Sequence, residues 1–408
     1  MPWPGEEIED RAADIAGAAY VLLKRQPAWR HRRVETITVL NHEQVRRHVS
    51  VDFTVPHERR ESLRLSASDE YAVPLGWLVK RPLVHFDLRN EEGHSIPLLT
   101  AEQNTTINRE LLYQALDDDL DEQDAAEAAQ DAVALAAGPL IEAVLGAGAD
   151  AGAVAQLERD HELGPLTDFR AMAATLSRFF VLWAVVRGLD RRRVFKFAYD
   201  EPFSQRPGLT PTYFYDAPGC TEAWSYHVEV AVPQELKART THLLDAATGA
   251  VLATGARDSD RPALYYCADP ANPPLLPRVV VGYGAERGRF VGPAAIVATV
   301  ISLLVALPWL FADLQALADS AGPAIGLVLS TSAVFSALVL RTDEPALLRR
   351  LLIRYRLSLV ASTLAALFAA AALGFQASDW IIEATWALAA LVSVLTAGIL
   401  VAAVIRSP

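Results

Sequence analysis

Apolar and polar residues change period several times along this chain, and each change marks a boundary. Between residues 6 and 24 the apolar positions Ile8, Ala12, Ile15, Ala19 and Leu22 recur every three or four residues, which predicts an amphipathic helix stopped near Pro27. Residues 34–40 and 45–55 turn to β-branched residues with partial alternation and read as two strands joined by the loop 41–44. Further strands are expected at 75–80, 83–89 and 95–99, the last two around a turn in which Gly93 supplies a positive φ. From 100 to about 187 the helical period returns, opened by a capping box at Thr100 and Gln103. Within it, 117–122 reads as a solvated acidic junction, 146–152 as a small-residue linker, and the apolar run 179–186 as a buried helix. A second β region follows, with strands at 194–199, 225–232, 241–245, 251–254, 264–267 and 278–283 between Pro-rich loops. The strings starting at His48 and His227 both run through β-branched residues to Val-Pro and then a Glu two positions on, a pattern that an internal duplication would leave.

The last quarter is of another kind. Segments 294–311, 322–340, 357–375 and 380–405 are almost free of charge, and each is long enough to cross a hydrocarbon core of roughly 30 Å. Arg287 and Arg289 precede the first. Arg341, Arg349, Arg350, Arg354 and Arg356 lie between the second and third, and Arg406 follows the fourth. The other two connections carry only Asp313, Asp319 and Asp379. The positive-inside rule then places both termini and the middle loop in the cytoplasm, so the expected location is the cell (inner) membrane, multi-pass. Small residues in the third and fourth segments favour close helix packing, and a homo-oligomer through these helices is expected. The fold class predicted is an α+β cytosolic region, β-sandwich-like strands with an inserted helical segment, followed by an all-α four-helix transmembrane domain. The divisions fall at 1–100, 101–190, 191–290 and 291–408.

Composition adjusts this picture in a few places. The chain has 408 residues, a net charge of -12 and a mean hydropathy of +0.19, an average of a polar front and an apolar rear. The acidic balance and the lack of a Lys/Arg stripe with interleaved aromatics argue against nucleic acid as a partner. The excess of Arg over Lys and the abundance of Ala match a high-GC bacterial coding bias. The first residues lack a basic stretch followed by an apolar one, so no signal peptide is read there. Cys220 and Cys267 have no CxxC spacing and read as buried or incidental thiols.

Candidate chemistry is sparse. His48 and Asp52 form one polar group with His57, and His85, Asp87 and His94 form another with Glu91 and Glu92. Residues two apart on a strand share a face, and imidazole with carboxylate can ligate zinc. The spacing matches no ligand motif, so solvated strand faces are preferred and no cofactor is expected. Gly282, Gly284 and Gly288, with Arg287 and Arg289, superficially suggest a phosphate loop, which would need a helix packing back on a parallel sheet. An apolar segment follows instead, and the string reads as a membrane-proximal hinge with its arginines at headgroup level. No GxSxG, GxxxxGK[ST], HExxH or CxxC is present. Glu383 is the one ionisable residue inside the apolar segments and sits near an outer end, which counts against secondary transport. The expectation is a non-enzymatic sensor or effector. Its cytosolic β-rich domain would bind an unknown ligand or protein, and its helices would anchor it in the lipid bilayer. The alternatives are a small channel or transporter with a cytosolic regulatory domain, and a membrane-tethered enzyme using His85, Asp87 and His94.

Overall fold

The computed structural model describes the chain apart from residues 1–4, 42–43, 66–68, 81–82, 124–126, 147–150, 203, 207–211, 234–235, 270–273, 275, 286–291, 312–345, 376 and 407–408. Helix α1 (Gly5–Lys24) forms where the apolar period predicts it, and a short α2 (Gln26–Trp29) leads into β1 (Arg30–Val39) and β2 (Gln44–Phe53). After α3 (His57–Arg60) come β3 (Glu70–Val79) and β4 (Val84–Arg89). Helices α4 (Ala101–Glu122), α5 (Glu127–Leu145), α6 (Ala151–Asp160) and α7 (Thr167–Arg178) stand between β4 and β5 (Phe179–Arg187). Next come β6 (Arg193–Pro202), β7 (Ser204–Arg206), β8 (Thr212–Asp216), a 3-10 turn (Pro218–Thr221), β9 (Ser225–Ala231), β10 (Leu236–Asp245), β11 (Val251–Thr254), β12 (Ala263–Cys267) and β13 (Pro277–Ala285). Helices α8 (Gly292–Phe311), α9 (Ala346–Gly374) and α10 (Asp379–Arg406) follow.

Among the described residues the strands form three sheets. One has six strands in the order β12-β9-β1-β2-β6-β4, one has five in the order β11-β10-β13-β8-β7, and β3 pairs with β5 alone. The strings suggestive of a duplication lie in β2 and β9. Both flank β1 in the same sheet, β2 antiparallel to it and β9 parallel. Strands from before and after the helical segment thus interleave in one sheet. Its inner face carries two cores. Val49, Val51, Phe53, Phe195 and Phe197 pack towards α1, α4, α7 and the β3–β5 pair. Ile37, Val45, Val228 and Val230 pack towards the five-stranded sheet and share a core with residues of α8, α9 and α10.

Several local expectations are corrected. Residues 179–186 are strand β5, not a helix. Val181, Leu182, Trp183 and Ala184 are buried in succession, and a strand covered on both faces reads as a continuous apolar run, which period alone does not separate from a buried helix. The acidic stretch 117–122 is the C-terminal end of α4. Asp119 is buried there and accepts bonds from the backbone N–H groups of Asp168 (3.1 Å) and Phe169 (2.8 Å), so it caps the start of α7 from another helix. The capping box at Thr100 and Gln103 is present. Segment 95–99 is not a strand. It bridges β4 to β5, with Ser95 opposite Arg89 and Leu98 opposite Ala184. Strand β8 lies where a Pro-rich loop is expected.

The largest correction concerns the apolar quarter. Among the described residues, two helices are long and apolar enough to cross a membrane by length and composition, Tyr355–Ala372 within α9 and Asp379–Ile405 within α10. An all-α four-helix transmembrane domain is therefore not supported. The apolar stretch Gly292–Leu307 of α8 is shorter, and α8 is tied into the fold: Ala294, Ala298, Ile301 and Val305 are buried in the core that also holds Tyr213, Tyr215 and Tyr283 of the five-stranded sheet. The expected segment 322–340 lies outside the described residues. Only 33% of each long window is buried, and Leu357, Leu364, Phe368, Leu391 and Ile399 are exposed. A core helix of a water-soluble domain would hide most of such a surface. Where α9 meets α10, the Ser362 hydroxyl donates to Ser393 Oγ (3.0 Å) and the Thr396 hydroxyl to the Ser358 carbonyl (3.1 Å). Thr299 and Thr363 bond to carbonyls of their own helices. The first two bonds join α9 to α10, and the other two hydroxyls are satisfied within their own helices.

Candidate functional site

The polar residues singled out in the sequence are not gathered into one site. His85 lies at the start of β4 with φ 52°, and its Nδ1 is 2.7 Å from Asp200 Oδ2 on β6. Arg46 of β2 donates to the same carboxylate through Nε (2.6 Å) and Nη2 (3.0 Å). Asp87 pairs with Arg89 (2.7 Å), His94 stands 3.3 Å from Glu92, and Asp52 pairs with Arg192 of the turn before β6. His48 is exposed on β2. Among the described residues, no three His, Cys, Asp or Glu side chains are grouped to hold a metal ion.

The hinge reading is corrected where the structure describes it. Gly282 and Gly284 are buried positions inside β13, which is paired along its length with β10. They are glycine because β10 side chains cross over them. A Cβ on Gly282 would lie 2.7 Å from Thr240 Oγ1, and one on Gly284 would be 2.9 Å from Arg239 Cδ. Arg287, Gly288 and Arg289, like Arg341, lie outside the described residues. Arg349, Arg350, Arg354 and Arg356 belong to the first turns of α9 rather than to a loop, at or just before the start of the apolar window.

The strongest feature of the interior was not found in the sequence. Arg30, Arg33 and Glu35 of β1, Arg47 of β2, Glu201 of β6 and Glu222 after the 3-10 turn are each at most 5% exposed. They form one connected chain of ion pairs. Glu222 Oε2 accepts from Arg30 Nη1 (3.1 Å) and Arg33 Nη1 (2.6 Å). Arg33 Nε donates to Glu35 Oε1 (2.7 Å), and Arg47 Nη1 donates to Glu35 Oε2 (2.8 Å). Arg47 also donates to Glu201 and to the carbonyl of Asp216. Arg30 Nη2 donates to the Pro74 carbonyl (2.7 Å), and the Trp77 N–H donates to Glu222 Oε1 (3.2 Å). Three guanidiniums balance three carboxylates, and the set ties the six-stranded sheet to β3 and to the end of β8. It lies as a band between the two apolar cores.

Desolvation opposes the charges of Glu35 and Arg30, with different outcomes. Burial raises the Glu35 carboxyl, but the charges and hydrogen bonds of Arg33 and Arg47 outweigh it and hold it below its ordinary range. Burial pushes Arg30 down to about 10, with Glu222 pulling against it, so Arg30 is the least compensated cation of the set. Because Glu35 ionises more readily folded than unfolded, its contribution to stability is complete above the unfolded carboxylate pKa of about 4.3 and is lost as pH falls through the lower folded value. Thermal denaturation followed from pH 7 to pH 3 is expected to show a plateau that breaks below about pH 4. The Glu35→Gln variant should start lower and fall less steeply, and a parallel fall in both proteins would contradict this assignment.

A second site is open to solvent. The segment 94–98 leaves β4 and crosses to β5, so the six-stranded and two-stranded sheets part there and leave a cavity of about 460 Å³. Its apolar lining includes Ile96, Pro97, Val185 and Phe195, and its polar lining Arg187, Arg191 and Arg193 with Glu70, Glu92 and His94. The size lies within the range of small-molecule sites, roughly 300–1,000 Å³. Of the polar residues proposed from sequence, Glu92 and His94 reach it. In the sequence Arg187 only follows the apolar run 179–186 and Arg191 to Arg193 only precede the strand at 194–199, so no motif spacing marks them. Their clustering at 187 and 191–193 about Gly188, whose φ is 64°, is the signal that marks them.

The chain matches no protein-family model and no curated protein.

Proposed function

We propose that this chain is a membrane-associated binding protein. Its α+β region takes a small ligand in the cavity at Arg187, Arg191 and Arg193, and α9 with α10 anchors it as a helical hairpin in the cell membrane. The observation that carries the reading is the pair of long apolar windows with two thirds of their length unburied. Charge placement supports an orientation. Arg349, Arg350 and Arg354 precede the first window and Arg406 follows the second, while residues 373–378 between the windows carry no charge and Asp379 opens the second. Both ends of the hairpin, and the α+β region with them, then face the cytoplasm.

Two native thiols make this testable. Cys220 is buried, with its thiol pushed up by that burial, whereas Cys267 is exposed in the α+β region. The full chain is expected to float with phospholipid vesicles. In intact cells, a membrane-impermeant maleimide should leave Cys267 unlabelled until the membrane is opened, and Cys267→Ser should remove the signal. Recovery of the chain in the soluble fraction would end the membrane reading, and labelling of intact cells would reverse the orientation.

A further inference from the structure

The cavity's lining has chemistry specific enough to name a ligand class, an inference that rests on reading this cavity as the binding site. Arg193 is a fixed donor. Its side chain is 13% exposed, Nη1 donates to Glu91 (2.5 Å), and Nε (3.1 Å) and Nη2 (3.0 Å) donate to the Gly188 carbonyl. Arg187 is matched to Glu70, with Nε (3.0 Å) and Nη2 (2.7 Å) on one carboxylate oxygen. Arg191 is different. It is 61% exposed and meets Glu91 through a single contact of 3.4 Å, on the oxygen that Arg193 already holds. One carboxylate is thus shared by two guanidiniums. Glu92, the remaining acid of the lining, is turned to His94. A planar guanidinium with free donors suits a carboxylate or a phosphate. In the same lining, Phe195 is buried and Ile96 and Pro97 offer an apolar wall.

We infer that the cavity binds a small amphipathic anion, a carboxylate or phosphate group on a compact apolar body. Arg191 receives the anion, Arg193 and Arg187 fix the polar lining through their own acids, and the apolar body lies against Phe195, Ile96 and Pro97. Arg191 is solvent-facing and bears no part of the core, so its removal leaves the fold in place.

The test uses the full chain in detergent micelles at constant ionic strength, with four probes of one shape: benzoate, phenyl phosphate, benzyl alcohol and benzylamine. At least one of the two anions is expected to raise the melting temperature in a saturable way, because a ligand bound only by the folded state stabilises it by mass action. Benzoate and phenyl phosphate separate the two anion types. Benzyl alcohol and benzylamine should leave the melting temperature unchanged. Arg191→Ala should melt as the parent does without ligand and bind the anion at least tenfold more weakly, with Arg191→Lys in between. Silence from both anions would overturn the inference, as would an unchanged anion affinity in Arg191→Ala. Stabilisation by benzylamine or benzyl alcohol with protection of residues 94–97 from hydrogen exchange would overturn the anion class while keeping the cavity as a binding site.

Discussion

Glu222→Ala is expected to cost about 3–5 kcal/mol of folding stability, the range for breaking a buried ion pair from one side. Glu222 is 1% exposed and is shared by Arg30 and Arg33, themselves 0% and 2% exposed, so its removal takes the carboxylate partner from buried Arg30 and leaves buried Arg33 with Glu35 alone. It also leaves the Trp77 N–H without its carboxylate. Against a typical total stability of about 5–15 kcal/mol, such a loss leaves a marginal protein. The midpoint of urea unfolding in detergent measures it, with Asp87→Ala as the control. Asp87 and Arg89 are both about half exposed, and breaking that pair should change stability by less than about 1 kcal/mol. Arg30→Met should be milder than Glu222→Ala, because Arg30 is the cation that burial already disfavours. Equal, small effects of Glu222→Ala and Asp87→Ala would mean that the buried band is not the joint between the sheets.

Gly219→Ala should be as damaging, although it adds a single methyl group. Gly219 is buried in the 3-10 turn, and a Cβ there would fall on the Arg33 guanidinium, 2.7 Å from Nη2 and nearer still to Nε and Cζ. Arg33 is pinned by Glu35 on one side and Glu222 on the other, so it has no rotamer to yield into without breaking the band. Overpacking alone costs about 1–3 kcal/mol, and here it adds to the loss of buried ion pairs. Gly93→Ala is the informative comparison. Gly93 has φ 87° with nothing within 4 Å of an added Cβ, so only backbone strain of about 1–2 kcal/mol is expected. Gly219→Ala melting with the parent, or above Gly93→Ala, would show that Arg33 moves freely and that the interior is looser than its bonds imply.

Both predictions concern residues whose importance is invisible along the chain. Arg30, Arg33, Glu35 and Arg47 read as ordinary polar positions of half-solvated strands, because alternation says that one face is buried without saying which residues the opposing layer demands. Glu222 and Gly219 are far from them in sequence and belong to a loop with no period at all. The cavity arginines show the same gap. Arg187 and the run at 191–193 sit at the edges of apolar and β-branched stretches with no spacing of their own, and only the crossing of segment 94–98 between two sheets places Arg187, Arg191 and Arg193 around one opening. The hinge glycines failed in the opposite direction. Gly282 and Gly284 resemble a flexible joint on paper, whereas the need they meet is room for Thr240 and Arg239 on the neighbouring strand.

What the amino-acid order determined by itself is what depends on near neighbours. It set helix α1, the capping box at Thr100, most of the strands, and the two long apolar windows of α9 and α10. Periodicity, caps and apolar length are local properties, and the chain carries them whatever lies opposite. Only the tertiary structure decided that 179–186 is a strand, that two long apolar helices rather than four are seen among the described residues, and that α8–α10 share a core with the five-stranded sheet. It also decided that six buried charges close on one another. Those outcomes depend on which distant segments meet, and an ion pair or a close backbone approach has no period by which a sequence could announce it.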